Sequence, residues 1–248
     1  MGRIGRYRRF LKSDLWPELG RYETDQKKKI PSPEKQKPVP DEAQVFDLVA
    51  AEDLESGRMP LIEAMRSRRS RRKYSDESLT REELSFLLWS TQGISSPGRD
   101  RLRTVPSGGA RHPFETYLVI SRVDGLKRGL YRFLPLDHKL CFIRTDAEMA
   151  EKLARACHGQ SFIKDSAVAF IWTAVPYRAE WRYGVIAHKM IAIDAGHLCQ
   201  NLYLASESIG AGTCAIGAYD QAGMDAFLGV DGEEEFSVYV GSVGKQEA

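Results

Sequence analysis

From Met59 onward the apolar positions of this chain keep regular spacings, and each spacing predicts an element. Pro60 suits a first helical turn, and Leu61, Ile62 and Met65 after it make one apolar helical face. Thr80 and Glu83 stand at capping-box spacing ahead of Leu84, Leu87, Leu88 and Trp89, which predicts a second helix stopped by Gly93. Ser95 to Gly109 is rich in Ser, Pro and Gly and reads as a long ordered loop. Phe114 to Val123 reads as a strand, and Leu130–Leu134 and Lys139–Arg144 flank Pro135-Leu-Asp-His138 as a hairpin. Thr145 and Glu148 predict the cap of a short helix ending near Cys157. Ala167 to Val175 is a nearly continuous apolar run, suited to a strand buried on both faces.

The longest predicted element runs from about Tyr183 to Ile209. Val185, Ile186, Met190, Ile191, Leu198, Leu202, Ala205 and Ile209 hold helical spacing for roughly 25 residues, about 40 Å at 1.5 Å per residue. His188, Lys189, Asp194, His197, Gln200 and Asn201 on the same stretch exclude a membrane span, which leaves a helix central to the core or to a dimer interface. Gly210 to Gly217 predicts a glycine-rich turn, Gln221 to Leu228 a helix, and Glu235 to Gly241 the last strand. Elements of both kinds in this order make a mixed α+β domain with a long central helix. Residues 1–58 read as an arm: Gln26 to Pro40 carries four prolines and five lysines, a composition that resists regular structure. Tyr7, Phe10, Leu11, Leu15 and Trp16 either pin a short helix of that arm onto the main body or a partner subunit, or belong to a partly mobile arm. The division expected is therefore an arm at 1–58 and a domain at 59–248.

Composition narrows the class. With 42% hydrophobic and 28% charged residues in 248, the chain supports a sizeable core, and a net charge of +2 does not favour nucleic acid globally. Cys141, Cys157, Cys199 and Cys214 form no C-x-x-C pair, so a reducing cytoplasm is the default. The basic N-terminus lacks the apolar core of a secretory signal, and no run of about 18 uncharged apolar residues occurs.

Locally the charge is far from balanced. Arg66, Arg68, Arg69, Arg71, Arg72 and Lys73 crowd with Ser67 and Ser70 into eight positions, and no acidic residue lies between Glu63 and Asp76. Such a concentration needs solvent or an anion against it: a phosphate-bearing cofactor, a nucleic-acid backbone or water. Two further segments are rich in backbone donors, Pro106-Ser-Gly-Gly-Ala-Arg-His-Pro113 and Gly210-Ala-Gly-Thr-Cys-Ala-Ile-Gly217-Ala218. There is no G-x-S-x-G or H-E-x-x-H motif, and His188, Asp194 and His197 read as a polar patch of a packed helix, so no metal is predicted. Gly210-Ala-Gly212 follows a helix, which disqualifies it as a dinucleotide fingerprint.

The order of these segments resembles the flavin-dependent nitroreductase superfamily, and within it the SagB-type dehydrogenases. The likeness rests on RRSRRKY at Arg68–Tyr74, RTVPSGGARHPFETYLV at Arg103–Val119, AGHLCQNLYLASESIGAGTCAIGAYD at Ala195–Asp220 and VYVGSVGK at Val238–Lys245. It implies a nitroreductase-like α+β fold, an intertwined homodimer with FMN at the interface, and hydride transfer to or from flavin N5 with a small or peptidic substrate, NAD(P)H being one donor. Carried over, it implies Arg68, Arg69, Ser70 and Arg72 around the FMN phosphate, ribityl chain and pyrimidine edge, and Pro106, Ser107 and Gly108 along the ring from the other subunit. Ile216 and Gly217 would present backbone N–H near N5 and O4, and Lys245 would neutralise the phosphate. SagB-type azoline oxidases carry a Lys-Tyr pair where this chain has Arg182-Tyr183. Arginine stays protonated and cannot serve as a base, so Tyr183 is left to act as an acid or to orient substrate. A non-redox flavin protein and a binder of nucleic acid or an anionic surface through residues 66–73 are the alternatives.

Overall fold

The computed structural model describes residues 2–96 and 102–247. Its centre is a seven-stranded antiparallel sheet. The helices are α1 (Arg3–Leu11), α2 (Leu61–Ser67), α3 (Arg81–Gln92), α4 (Met149–Ala156), α5 (Tyr177–Tyr183), α6 (Ala187–Ser208) and α7 (Gln221–Leu228). The strands are β1 (Val45–Asp47), β2 (Ile94–Ser96), β3 (Leu102–Arg103), β4 (Phe114–Ile120), β5 (Gly129–Leu134), β6 (Lys139–Arg144), β7 (Val168–Ala174), β8 (Ala211–Ile216) and β9 (Phe236–Lys245). The sheet order is β1-β6-β5-β4-β7-β9-β8, with β2 and β3 a separate pair.

β4 and β7 are buried at every position, as an apolar run in a sheet covered on both faces demands. On one face α3 and α6 pack over Leu118, Phe170 and Trp172. On the other α4 and α7 cover Tyr117, Ile171 and Val240. The reciprocal capping box of Thr80 and Glu83 starts α3 where its sequence places it, and α7 occupies its expected residues.

Four elements differ from their sequence pattern. The long helix starts later than expected: Gly184, at φ 52 and ψ −133, ends α5, and the 22-residue α6 begins at Ala187, giving about 33 Å. Val185 and Ile186, which the apolar spacing included, lie in a single 3-10 turn ahead of it. The segment 211–216 is a strand, not a turn: Ala, Thr, Cys and Ile there find buried ladder positions against β9, and only Gly210 turns, at φ 67. α4 starts at Met149, with the Glu148 amide donating to Asp146 and not to Thr145. The stretch expected as a loop from Ser95 contains β2 and β3, and its residues 97–101 lie outside the described residues.

The N-terminal segment runs across the domain, held by buried charge. The Gln26 amide donates to the Trp181 carbonyl and the Trp181 indole to the Ile30 carbonyl. The Lys37 amide donates to Glu115, the Arg132 guanidinium to the Pro38 carbonyl and that of Arg103 to the Lys35 carbonyl. Glu115 is itself clasped by Arg132 and Arg178, and β1 then closes the sheet edge on β6. A lysine- and proline-rich chain is irregular, as its composition predicts, and its anchors are carbonyls that reach buried guanidinium groups. Among the described residues no helix is long and apolar enough to cross a membrane.

Candidate functional site

α6 carries the site on two faces. Residues 68–72 leave α2 as extended chain, and Ser70 bridges Thr213 in parallel on the outer edge of β8, with the Arg71 amide donating to the Thr213 carbonyl at 2.9 Å. Extended backbone alternates its side chains, so Arg68, Ser70 and Arg72 share one side and Arg69 and Arg71 the other. The contacts follow that division. Arg71 pairs with buried Glu207 at 3.8 Å, and the Arg69 guanidinium donates to the carbonyls of Arg66 and Arg68. The Arg68 guanidinium lies 5.3 Å over the ring of Tyr203, and that of Arg72 lies 5.8 Å over Phe162. Neither has an acidic partner among the described residues. Burial raises the Cys214 thiol above its usual range, and the Arg72 charge beside it opposes that rise.

Tyr203 joins this cluster to β8. Its hydroxyl shares a 3.0 Å hydrogen bond with Ser70 and accepts the Ala215 amide at 2.8 Å. Ala215 precedes Ile216, which is buried, and Gly217, which is exposed. Gly217 opens onto an apolar cleft of about 610 Å³ floored by Ala192, Ala195, Gly196, Val238 and Tyr239. A Cβ placed on Gly196 or Gly217 meets no atom within 4 Å, so a flat ring can lie against the backbone there. Lys245, expected at the same end, is already engaged: its ammonium donates to Glu83 and, at 3.1 Å, to the Ile209 carbonyl.

The glycine loop is built on the other face of α6. Ser107 donates its hydroxyl to Asp194 at 2.6 Å, the Gly108 amide donates to the same carboxylate at 3.1 Å, and the Pro106 carbonyl faces His197 at 3.3 Å. Asp194 is 5% exposed, and that burial holds its carboxyl above the ordinary range, while the Ser107 and Gly108 donors work against the shift. Gly109, at φ 57, brings its backbone against α5: a Cβ there would stand 2.6 Å from the Tyr183 hydroxyl and 3.0 Å from Arg182 Nε.

Asp194 and Tyr203, the anchors of the two halves, are nine residues apart. At 3.6 residues per turn that is two and a half turns, so they project from opposite sides of α6. One chain thus brings Arg68, Ser70 and Arg72 together with Ile216 and Gly217. It brings Pro106, Ser107 and Gly108 together with Arg182 and Tyr183. It does not bring the two groups to one another. Sequence reasoning passed over Tyr203 and read Asp194 only as part of a polar patch of a packed helix, although the two organise the halves of the site.

The residues present fit FMN. Two guanidinium groups and a serine hydroxyl without an acidic partner suit a phosphate, and the apolar cleft with exposed Gly217 amide suits an isoalloxazine ring. A nitroreductase-named protein of Methanocaldococcus jannaschii is 34% identical over 159 residues, 64% of this chain and 79% of its own. The trifolitoxin-processing protein TfxB of Rhizobium leguminosarum is 31% identical over 124 residues, 48% of this chain and 33% of its own. Among solved structures, a nitroreductase-type protein of Ralstonia eutropha superposes with TM-score 0.70 at 22% identity, covering 86% of this chain and 95% of that one. The Escherichia coli microcin synthetase McbBCD complex, with truncated pro-MccB17 bound, superposes at 0.64 and 20% identity, covering 86% and 79%. The NADPH:FMN oxidoreductase of Vibrio harveyi, complexed with NAD+, superposes at 0.55 and 18%, covering 76% and 69%. The match to the Nitroreductase family over residues 65–245 spans the cationic cluster, both glycine segments and Lys245, and the chain belongs to that family.

Proposed function

We propose that this chain is an FMN-dependent oxidoreductase of the SagB-type branch, active as a homodimer with one flavin at each of two shared sites. The observation that carries the reading is the division of α6: the cationic cluster and the glycine loop stand on opposite faces, so a single flavin touching both draws them from two copies. FMN, when bound, supplies the hydride chemistry at its N5. Arg68, Ser70 and Arg72 then hold the phosphate and the ribityl chain. Arg69 would support that end from behind through the end of α2, while Lys245 is paired with Glu83, so its expected place at the phosphate requires that pair to open. The backbone at Ile216 and Gly217 would lie along the ring edge where charge develops, with the exposed Gly217 supplying the N–H donor that stabilises the reduced form, since Ile216 is paired with Val240 in the ladder. Pro106, Ser107 and Gly108 of the second copy close the ring face and exclude water.

The branch assignment draws on TfxB, a trifolitoxin-processing protein, and on the microcin synthetase McbBCD, solved with truncated pro-MccB17 bound. It makes a small or peptidic substrate the expectation, with NAD(P)H as one electron donor. Arg182 cannot abstract a proton, so azoline oxidation through a lysine base is not the activity proposed; Tyr183 orients substrate or donates a proton. The four free, buried cysteines fit a reducing cytoplasm. Purified protein should be yellow, carry a flavin spectrum bleached by NADH, NADPH or dithionite, and sediment as a dimer. Colourless protein that refuses added FMN would overturn the reading.

A further inference from the structure

We propose that Arg182, backed by Arg111 and flanked by the Tyr183 hydroxyl, forms a subsite for a carboxylate, so that the substrate reduced or oxidised at the flavin is an organic acid. This rests on the functional reading above and adds a substrate class to it.

Three elements meet at this corner. Arg182 and Tyr183 end α5, Gly109 brings the glycine loop against both, and Arg111 follows two residues later. Arg111 is 8% exposed, its guanidinium 4.8 Å over Trp181 with one donor on Ser32 at 3.2 Å, and its Nε is buried without a partner. Arg182 is exposed and rests 5.5 Å over the Tyr183 ring; among the described residues it has no hydrogen bond or ion pair.

The missing component is negative charge. Arg111 stacks on Trp181, the residue before Arg182, and among the described residues neither guanidinium group has an ion pair, because acids of the neighbouring elements are engaged elsewhere. Glu180 faces His188 at 2.7 Å, Asp25 accepts the Tyr177 hydroxyl at 2.8 Å, and Asp194 takes Ser107 and Gly108. The Arg111 guanidinium is held below its ordinary pKa, by burial first and by Arg182 second. An unneutralised cationic pair beside a ring-lining loop raises the local concentration of anions. A carboxylate matches the planar fork of arginine, and an adjacent phenol adds one neutral donor. Arg182 makes the contact; Arg111, behind it, is a positioning residue that adds field and fixes Trp181. The carboxylate belongs either to a small acid or to the C-terminus of a peptide.

The test is binding to the FMN-loaded dimer, read by perturbation of the flavin absorbance. Benzoate is compared with benzamide, and an acetylated dipeptide acid with its amide. Benzoate should bind about tenfold more tightly than benzamide at low salt, with the advantage shrinking as salt rises. Arg182→Gln should erase that preference with flavin content unchanged, and Arg182→Lys should keep part of it. The acid that shows the larger preference over its amide identifies the source. Equal binding of benzoate and benzamide by the native protein, or an unchanged preference in Arg182→Gln, would overturn the subsite while leaving a flavoenzyme. If Arg182→Gln raises only the KM for NADPH, the anion is the donor's phosphate and the proposal fails. Protein that takes up no FMN removes the parent reading, and the subsite with it.

Discussion

Replacing Tyr203 by Phe removes one oxygen that two other groups use. β8 is the outer strand of the sheet, so the Ala215 amide has no neighbouring strand to donate to and donates instead to the Tyr203 hydroxyl at 2.8 Å. Ser70 takes its orientation from the same oxygen at 3.0 Å. Losing a neutral hydrogen bond costs about 1 kcal/mol, and a half-buried amide left without an acceptor adds about 1 kcal/mol more. A loss of about 2 kcal/mol in a chain of this size lowers Tm by about 5 °C. The ring remains, so the Arg68 stacking platform survives and the loss is confined to the hydroxyl. Apo-protein melting followed by circular dichroism gives the stability; titration with FMN and with riboflavin gives the function. FMN affinity should fall by about tenfold, one charge-assisted bond at the weaker end, while riboflavin, which lacks the phosphate, changes little. Unchanged melting would refute the claim that the hydroxyl satisfies Ala215. Equal losses for FMN and riboflavin would refute the placement of Ser70 at the phosphate.

Arg68→Ala and Arg72→Ala should each weaken FMN binding by about 1.5–3 kcal/mol, measured by equilibrium dialysis, because each removes a charged donor with no competing acid. Arg66→Ala and Arg69→Ala should cost less in the same assay, since the Arg69 guanidinium is spent on backbone carbonyls. His112 gives a pH signature: burial first, then Arg103, Lys35 and Arg111, push its imidazole down to about 3. The folded pKa is depressed, so the neutral ring is stable at pH 7, and stability is lost as pH falls below the unfolded value of about 6.5 toward the folded one. Urea unfolding should show up to about 1.4 kcal/mol lost per pH unit between about pH 6 and pH 4. His112→Asn, which suits the left-handed φ of 49 at this position, should flatten that slope; an equal slope in both proteins would contradict the burial argument.

What the sequence disclosed depended on whether a signal was local. The Thr80–Glu83 cap, the β5–β6 hairpin and the buried run of β7 announce themselves within a few residues, and each formed where its pattern lies. The late start of α6 stayed hidden, because Val185 and Ile186 in the turn before it are as apolar as the helix itself. The strand at 211–216 was masked by its glycines, because its strand character comes from pairing with β9 and not from its own composition. In the site, the arginines were visible as a cluster, but their division was not. Alternation of an extended chain on the edge of β8 sends Arg68 and Arg72 one way and gives Arg71 to Glu207, a residue 136 positions away in sequence that no local pattern could supply. The apolar face of Leu61, Ile62 and Met65 formed as a helix and points outward, at 60%, 55% and 57% exposure. Exposed apolar residues beside the cationic cluster are what a second copy would cover.

Two variants that each ruin one half of the site offer a direct test of that second copy. Arg72→Ala damages the cluster on one face of α6. Gly109→Val damages the loop on the other, since a β-branched side chain resists a φ of 57 and would press on Tyr183 and Arg182. If a flavin site takes its cluster from one chain and its loop from another, homodimers of either variant contain no intact site. A mixed dimer contains one site in which both halves are damaged and one in which both are native. Random pairing makes half the dimers mixed, so co-expression should restore about a quarter of the native flavin sites. If cluster and loop served the same flavin from one chain, every site in every dimer would carry one lesion, and mixing would restore nothing. Flavin content per chain of the whole co-expressed pool, purified through one tag carried by both variants, separates the outcomes without reference to any substrate. A value no higher than the mean of the two homodimers would refute the reading that opposite faces of α6 serve different flavins.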